Sequence, residues 1–239
     1  MERKIGFLIW FVVILSTVGM ASEKDKIYEA YISGNMALWK ETIDKMEKIH
    51  PKSNASTLEL VNYQYGYIGW AMGSERQSEA RQYLRLAEAH LDELGKRGFS
   101  VASVQAYQSA MFGFRIGLNR LQAPILGPKS VNFAKNAIES DPENPLGYIQ
   151  LGNAEYYMPA AFGGSKKKAL EYYLKARALM EKQKSGIKND WNYLNLLTLI
   201  GQAYIGISEN GKAKKVFEEI LRIEPNFLWV KNELSKTVE

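Results

Sequence analysis

Cysteine is absent from all 239 residues, so the chain forms no disulfide, offers no thiolate to a metal and lacks the thiol that is acylated in bacterial lipoproteins. Histidine is almost absent. His50 stands beside Pro51 and His90 lies between Glu88 and Leu94, a spacing that does not bring both to one metal, so a solvent-facing or capping role is expected of each. Charge of one sign is not in large excess either: 31 basic against 26 acidic side chains give a net +5, without a basic stripe, and no nucleic-acid partner is expected. No stretch has a convincing strand pattern. No nucleophile, base and orienting acid converge in the sequence, so no catalytic residue, metal ligand or cofactor is assigned.

Long hydrophobic runs are limited to one. After Met-Glu-Arg-Lys come sixteen largely apolar residues from Ile5 to Met20, with small Gly19 and Ala21 at the positions a signal peptidase inspects. This is the pattern of an export signal, and it falls short of the roughly 20 residues that a membrane-spanning helix needs. Cleavage after Ala21 is expected, with an uncleaved anchor as the alternative. It leaves 29 basic and 25 acidic side chains, a net +4, and no stable membrane span. The expected location is the periplasm, or outside the cell.

What the chain does have is a recurring helical pattern. From Leu197 to Pro225 the order is Leu197, Ile200, Gly201, Tyr204, then Ala213, Phe217, Ile220 and Pro225. Gly201 lacks a side chain where two helices must approach, Ala213, Phe217 and Ile220 fall on one helical face, Asn210-Gly211 supplies a turn and Pro225 a stop. Upstream, Tyr148, Leu151 and Gly152 repeat the first helix, and Ala169, Tyr173 and Ala176 the second. The gap from Gly152 to Ala169 is 17 residues where Gly201 to Ala213 is 12, which implies an insertion of five. The same 17-residue gap counted back from Ser130 reaches Gly113, with Ala134, Ala137 and the stop Pro142 following; Asn144-Pro145 opens the next unit. A weaker unit uses Tyr67, Ile68, Ala80, Leu84 and Ala87, opened by a capping box around Ser56 to Glu59 and closed by Gly95 to Gly98.

These segments resemble the tetratricopeptide repeat, a helix-turn-helix unit of about 34 residues. The resemblance implies an all-α, right-handed superhelical solenoid of about five repeats (24–50, 56–95, 100–142, 145–182 and 191–225) with a C-terminal capping helix over 226–239. The structural repeat positions are Gly113, Pro142, Gly152, Ala169, Tyr173, Gly201, Tyr204, Ala213, Phe217 and Pro225. It also implies a concave groove lined by Leu146, Ile149, Asn153 and Tyr156, by Asn195, Thr198, Gln202 and Ile205, and by Asn62, Tyr65 and Met72. Such a neutral lining suits a protein or peptide ligand; its alternative is to pack against a terminal helix of the same chain. The lysine-asparagine clamp of chaperone-binding members is ruled out, because Ile149 stands where that clamp needs a lysine.

A second candidate surface is the pair of apolar insertions, Leu121 to Pro128 and Met158 to Gly164, carrying Ile125, Leu126, Tyr157 and Phe162. The second loop also resembles the repeat-built periplasmic T subunits of TRAP transporters. Glu155 takes the place of the usual tyrosine and is expected to pair with a tyrosine or with Arg115, since an unpaired buried carboxylate is costly. Gly127-Pro128-Lys129-Ser130 lacks the earlier glycine of a phosphate loop, and Gly163-Gly164-Ser165-Lys166 reads as a serine cap with a solvated basic face. The expected function is a non-enzymatic exported scaffold docking a protein or peptide, with oligomerisation open. Its rivals are a periplasmic solute carrier built around Glu155 and the loop aromatics, and a helical-solenoid hydrolase with clustered acids.

Overall fold

The computed structural model describes residues 22–182 and 187–238, and the segment expected to be an export signal lies outside them. The described residues are all-α, with no strand and no helix long and apolar enough to cross a membrane. Five helix pairs follow one another: α1 (Glu23–Ser33) with α2 (Met36–Lys48), α3 (Asn54–Gly73) with α4 (Gln77–Lys96), α5 (Val101–Leu118) with α6 (Ala123–Ser140), α7 (Pro145–Tyr157) with α8 (Lys166–Lys182), and α9 (Trp191–Gly206) with α10 (Asn210–Ile223). The short α11 (Leu228–Asn232) and a 3-10 turn (Leu234–Val238) cap the last pair.

Local chemistry sets the boundaries. Ser22 and Asp25 form a reciprocal capping box at α1, and Gly34 ends that helix in the left-handed region at φ 69°, a conformation cheap only without a Cβ. Asn35, Ser53, Asn144 and Asp190 cap α2, α3, α7 and α9 through their side-chain oxygens. Ser53, rather than the Ser56 to Glu59 box, therefore opens the second unit. The turn before α10 is made by Ile207 to Glu209, with Ser208 at φ 63°; Asn210-Gly211 is already helical.

The second helices carry a single apolar stripe: in α10, Ala213, Val216, Phe217 and Ile220 are buried while Lys212, Lys214, Lys215 and Glu218 face out. The first helices are buried on a wider arc, as in α9 with Trp191, Tyr193, Leu194, Leu196, Leu197, Thr198 and Ile200. This difference puts the first helices inside and the second outside. Glycine sets the closest approaches within the last two pairs. A Cβ at Gly152 would overlap the Tyr173 ring, and one at Gly201 the Phe217 ring; Ala169 and Ala213 are fully buried beside them. Tyr204 is half-buried, and the exposed Pro142 and Pro225 follow the ends of α6 and α10.

Gly113 departs from this scheme. It is exposed and a Cβ there would meet nothing within 4 Å. The close approach in the third pair is made one turn earlier, where Ser109 Oγ donates to the Ser130 carbonyl at 2.7 Å and Ser130 Oγ donates to the Ser109 carbonyl at 2.8 Å. The connection is correspondingly longer and mostly helical: a 3-10 turn (Arg120–Gln122) leads straight into α6, so Leu121 to Pro128 is not a loop. Pro124 falls in the first turn of α6, where its missing N–H costs nothing.

Candidate partner-docking surface

The concave side is filled by the chain itself. The solenoid curls until α1 packs on α9 and α11. Tyr31 donates to Asn195 Oδ1 at 3.2 Å, and Tyr28 to Glu224 Oε2 at 3.1 Å. Between the ends, Trp191 lies edge-on to Trp39 with centroids 5.0 Å apart, and Tyr31, Tyr65 and Phe227 close around them. Gly66 makes room, since a Cβ there would come within 2.6 Å of Trp39 and 2.7 Å of Trp191. Each buried aromatic pair of this kind adds about 0.5 to 1.5 kcal/mol beyond its area.

The groove positions are thus largely engaged. Ile149 and Thr198 are buried, Leu146 packs against both core clusters, and Ile205 lies against the second. Asn195 is taken by Tyr31. Asn153 donates to Gln150 and Tyr65 and accepts from Tyr173 at 2.8 Å, while Asn62 accepts from Tyr107. Burial pushes the Tyr31 and Tyr65 phenols up, so both stay neutral near pH 7 and neither is a base. Gln202 and Tyr156 are only partly covered. Packing against a terminal helix, the alternative weighed for these positions, describes Asn195, which meets Tyr31 of α1; Asn153 and Asn62 are held instead by Tyr65, Tyr173 and Tyr107 of internal helices.

The open apolar surface lies elsewhere, on the edge where first helices end and second helices begin. Leu121 is 89 % exposed, Phe162 79 %, Tyr157 69 % and Ile125 67 %; Leu126 is half-buried. Leu121 and Ile125 follow α5, Tyr157 is the last residue of α7 and Phe162 follows it. Because α5 and α7 pack side by side in adjacent repeats, their ends share one edge. The 158–165 connection is held firmly: Ser165 N donates to the Glu155 carbonyl, Gly164 N to that of Pro159, and Lys168 N to Ser165 Oγ. A Cβ at Gly164 would overlap the Met158 carbonyl, so this close turn needs glycine.

Two clefts flank this edge. One of about 410 Å³ is lined by Glu155, Tyr156, Met158, Ser165, Lys166 and Lys167 among others, with Lys166 Nζ 5.5 Å over the Tyr156 ring. Glu155 pairs neither with a tyrosine nor with Arg115, contrary to expectation; its buried Oε2 has no hydrogen-bond partner among the described residues. Arg115 instead grips Glu88 through Nε at 2.5 Å and a terminal nitrogen at 2.7 Å. That pair belongs to the second cleft, of about 360 Å³, between α4 and the α5–α6 connection. Sequence reading missed it because its residues come from separate repeats and form no local motif.

Neither histidine lines either cleft. His90 Nε2, on α4, lies 3.0 Å from Glu47 Oε2 at the end of α2, and no cluster of three or more potential metal ligands occurs among the described residues.

No protein-family model matches the chain, and no curated protein does. Among solved structures, the HusA haemophore of Porphyromonas gingivalis is similar over 77 % of this chain and 92 % of its own, with 19 % identity and a TM-score of 0.59. A thermophilic TPR protein of Thermus thermophilus is similar over 91 % and 98 %, with 13 % identity and a TM-score of 0.56. At such identities the likeness concerns the fold: a TPR-type helical solenoid.

Proposed function

We propose that the protein is an exported, non-enzymatic scaffold that docks a protein partner along the edge formed by the α5–α6 and α7–α8 connections, not in the concave groove. One observation carries this reading: Leu121, Ile125, Tyr157 and Phe162, the four most exposed large hydrophobic residues among those described, fall at equivalent connections of adjacent repeats. Withdrawing each from water is worth about 1.5 to 3 kcal/mol before the costs of association, and clustered exposed apolar groups mark interfaces. The test is affinity capture from the native envelope fraction, comparing wild type, Leu121→Asp/Phe162→Asp and Gln202→Ala. The reading requires that one protein captured by wild type is lost with the edge variant and kept with Gln202→Ala; the reverse pattern returns docking to the groove. Export itself is checked by the mass of the native protein, which should begin at Ser22.

A second reading, a carrier of an apolar acid such as haem, draws on the fold shared with a haemophore and on the cleft beside Tyr156. With His50 and His90 away from this edge, haem would sit there without a histidine ligand from the described residues. Saturable haem binding abolished by Phe162→Asp would favour this reading over a protein partner.

A further inference from the structure

The second cleft is basic and incompletely neutralised. Arg81 and Arg85 are four residues apart and share one face of α4, where like charges repel; Arg115 reaches the same cleft from α5. Glu88 is the one acid lining it among the described residues, and Arg115 holds that carboxylate with two N–H donors. Arg81 spends one terminal nitrogen on the Leu118 carbonyl at 3.0 Å and keeps its other donors. Arg85 has no ion pair or hydrogen bond with a described residue and is exposed. Asn119 and Gln122 add amides on the far wall, and Leu121, the most exposed apolar side chain of the docking edge, lies between them in sequence.

We propose that Arg81, Arg85 and Arg115 form a seat for a carboxylate of the docked partner, so that the partner presents an acidic side chain next to the apolar group that covers Leu121. The Arg115–Glu88 pair shows this recognition inside the cleft: a planar guanidinium fork donates two N–H bonds to a carboxylate side-on. The two remaining arginines leave a net charge of +2, which two carboxylates neutralise.

That the anion belongs to a partner rests on the docking reading; the anion seat itself does not, and the experiment separates them. The purified protein is titrated with glutarate at ionic strength held constant with chloride, following the arginine side-chain Nε resonances by NMR. Saturable shifts are expected at Arg81, Arg85 and Arg115, with affinity weakened about tenfold or more in Arg85→Ala and unchanged in Arg222→Ala. Because Arg85 is exposed, its replacement leaves the fold intact, which an unchanged melting temperature verifies. A linear response no different from chloride, equal affinity in Arg85→Ala, or saturation by inorganic phosphate but not glutarate would each overturn the proposal. If glutarate binds as described but the edge variant still captures its protein, the docking reading fails and the carboxylate seat stands.

Discussion

Trp39 and Trp191 meet at the centre of the curled solenoid, both buried, and they differ in the surroundings of one atom. Trp39 Nε1 donates to the Tyr63 carbonyl at 3.0 Å; Trp191 Nε1 is buried without a partner among the described residues. Replacing either by phenylalanine removes the same atoms and leaves a similar cavity. The hydrogen-bond terms have opposite signs. Trp39→Phe forfeits a bond worth about 0.5 to 1.5 kcal/mol net, whereas Trp191→Phe removes a desolvated donor that costs about 1 to 3 kcal/mol to keep. Trp39→Phe should therefore be the more destabilising by at least about 1.5 kcal/mol. At roughly 2 to 4 °C per kcal/mol for a chain of this size, its melting point falls about 3 to 6 °C below that of Trp191→Phe. Far-UV circular dichroism in urea and on heating reads both quantities. If Trp191→Phe costs as much as Trp39→Phe, the Trp191 N–H has a partner and the interior is wetter than described. The concave side would then regain its claim as a binding groove.

Three further outcomes follow from packing and charge. Gly201→Ala drives a methyl into Phe217 and should cost about 1 to 3 kcal/mol despite the better helix propensity of alanine. Gly113→Ala meets open space on an exposed helix and should stabilise by about 0.5 to 1 kcal/mol; urea midpoints compare the two. Burial raises the Glu181 carboxyl, but hydrogen bonds from Arg177 and Tyr193 outweigh it and hold the pKa below the ordinary glutamate range. Its contribution is present above that range and is lost as pH falls through the lowered value, so the melting temperature should drop less between pH 6 and pH 3 in Glu181→Gln than in wild type.

The fourth and fifth repeats were legible because their helix contacts are written in adjacent sequence: a glycine without a Cβ opposite an aromatic ring one helix later, Gly152 with Tyr173 and Gly201 with Phe217. The third repeat misled because a serine pair, Ser109 with Ser130, does the same work by hydrogen bonding and leaves no glycine to mark the spot. Leu121 to Pro128 carries two prolines and a glycine, a loop composition, yet it is helical: Pro124 needs no N–H in the first turn, and Pro128 is tolerated one turn later. The curling of the ends was beyond local periodicity. It rests on aromatic groups from the first repeat, Tyr31 and Trp39, against Trp191 of the last repeat and Phe227 of the cap, and a repeat pattern describes neighbours only. Exposure of Ile125, Tyr157 and Phe162 was accessible from spacing, since insertions at equivalent places project from one edge; the arginine cleft beside them needed the packing of α4 on α5.

The proposed docking uses this edge and leaves the filled interior untouched. Hydrogen exchange of the protein with and without its captured partner tests it amide by amide. Slowed exchange is expected at 119–127 and 157–165, with α9 amides around Asn195 and Thr198 unchanged. Protection centred on α1 and α9 instead, or loosening of α1 from α9 on binding, would contradict it.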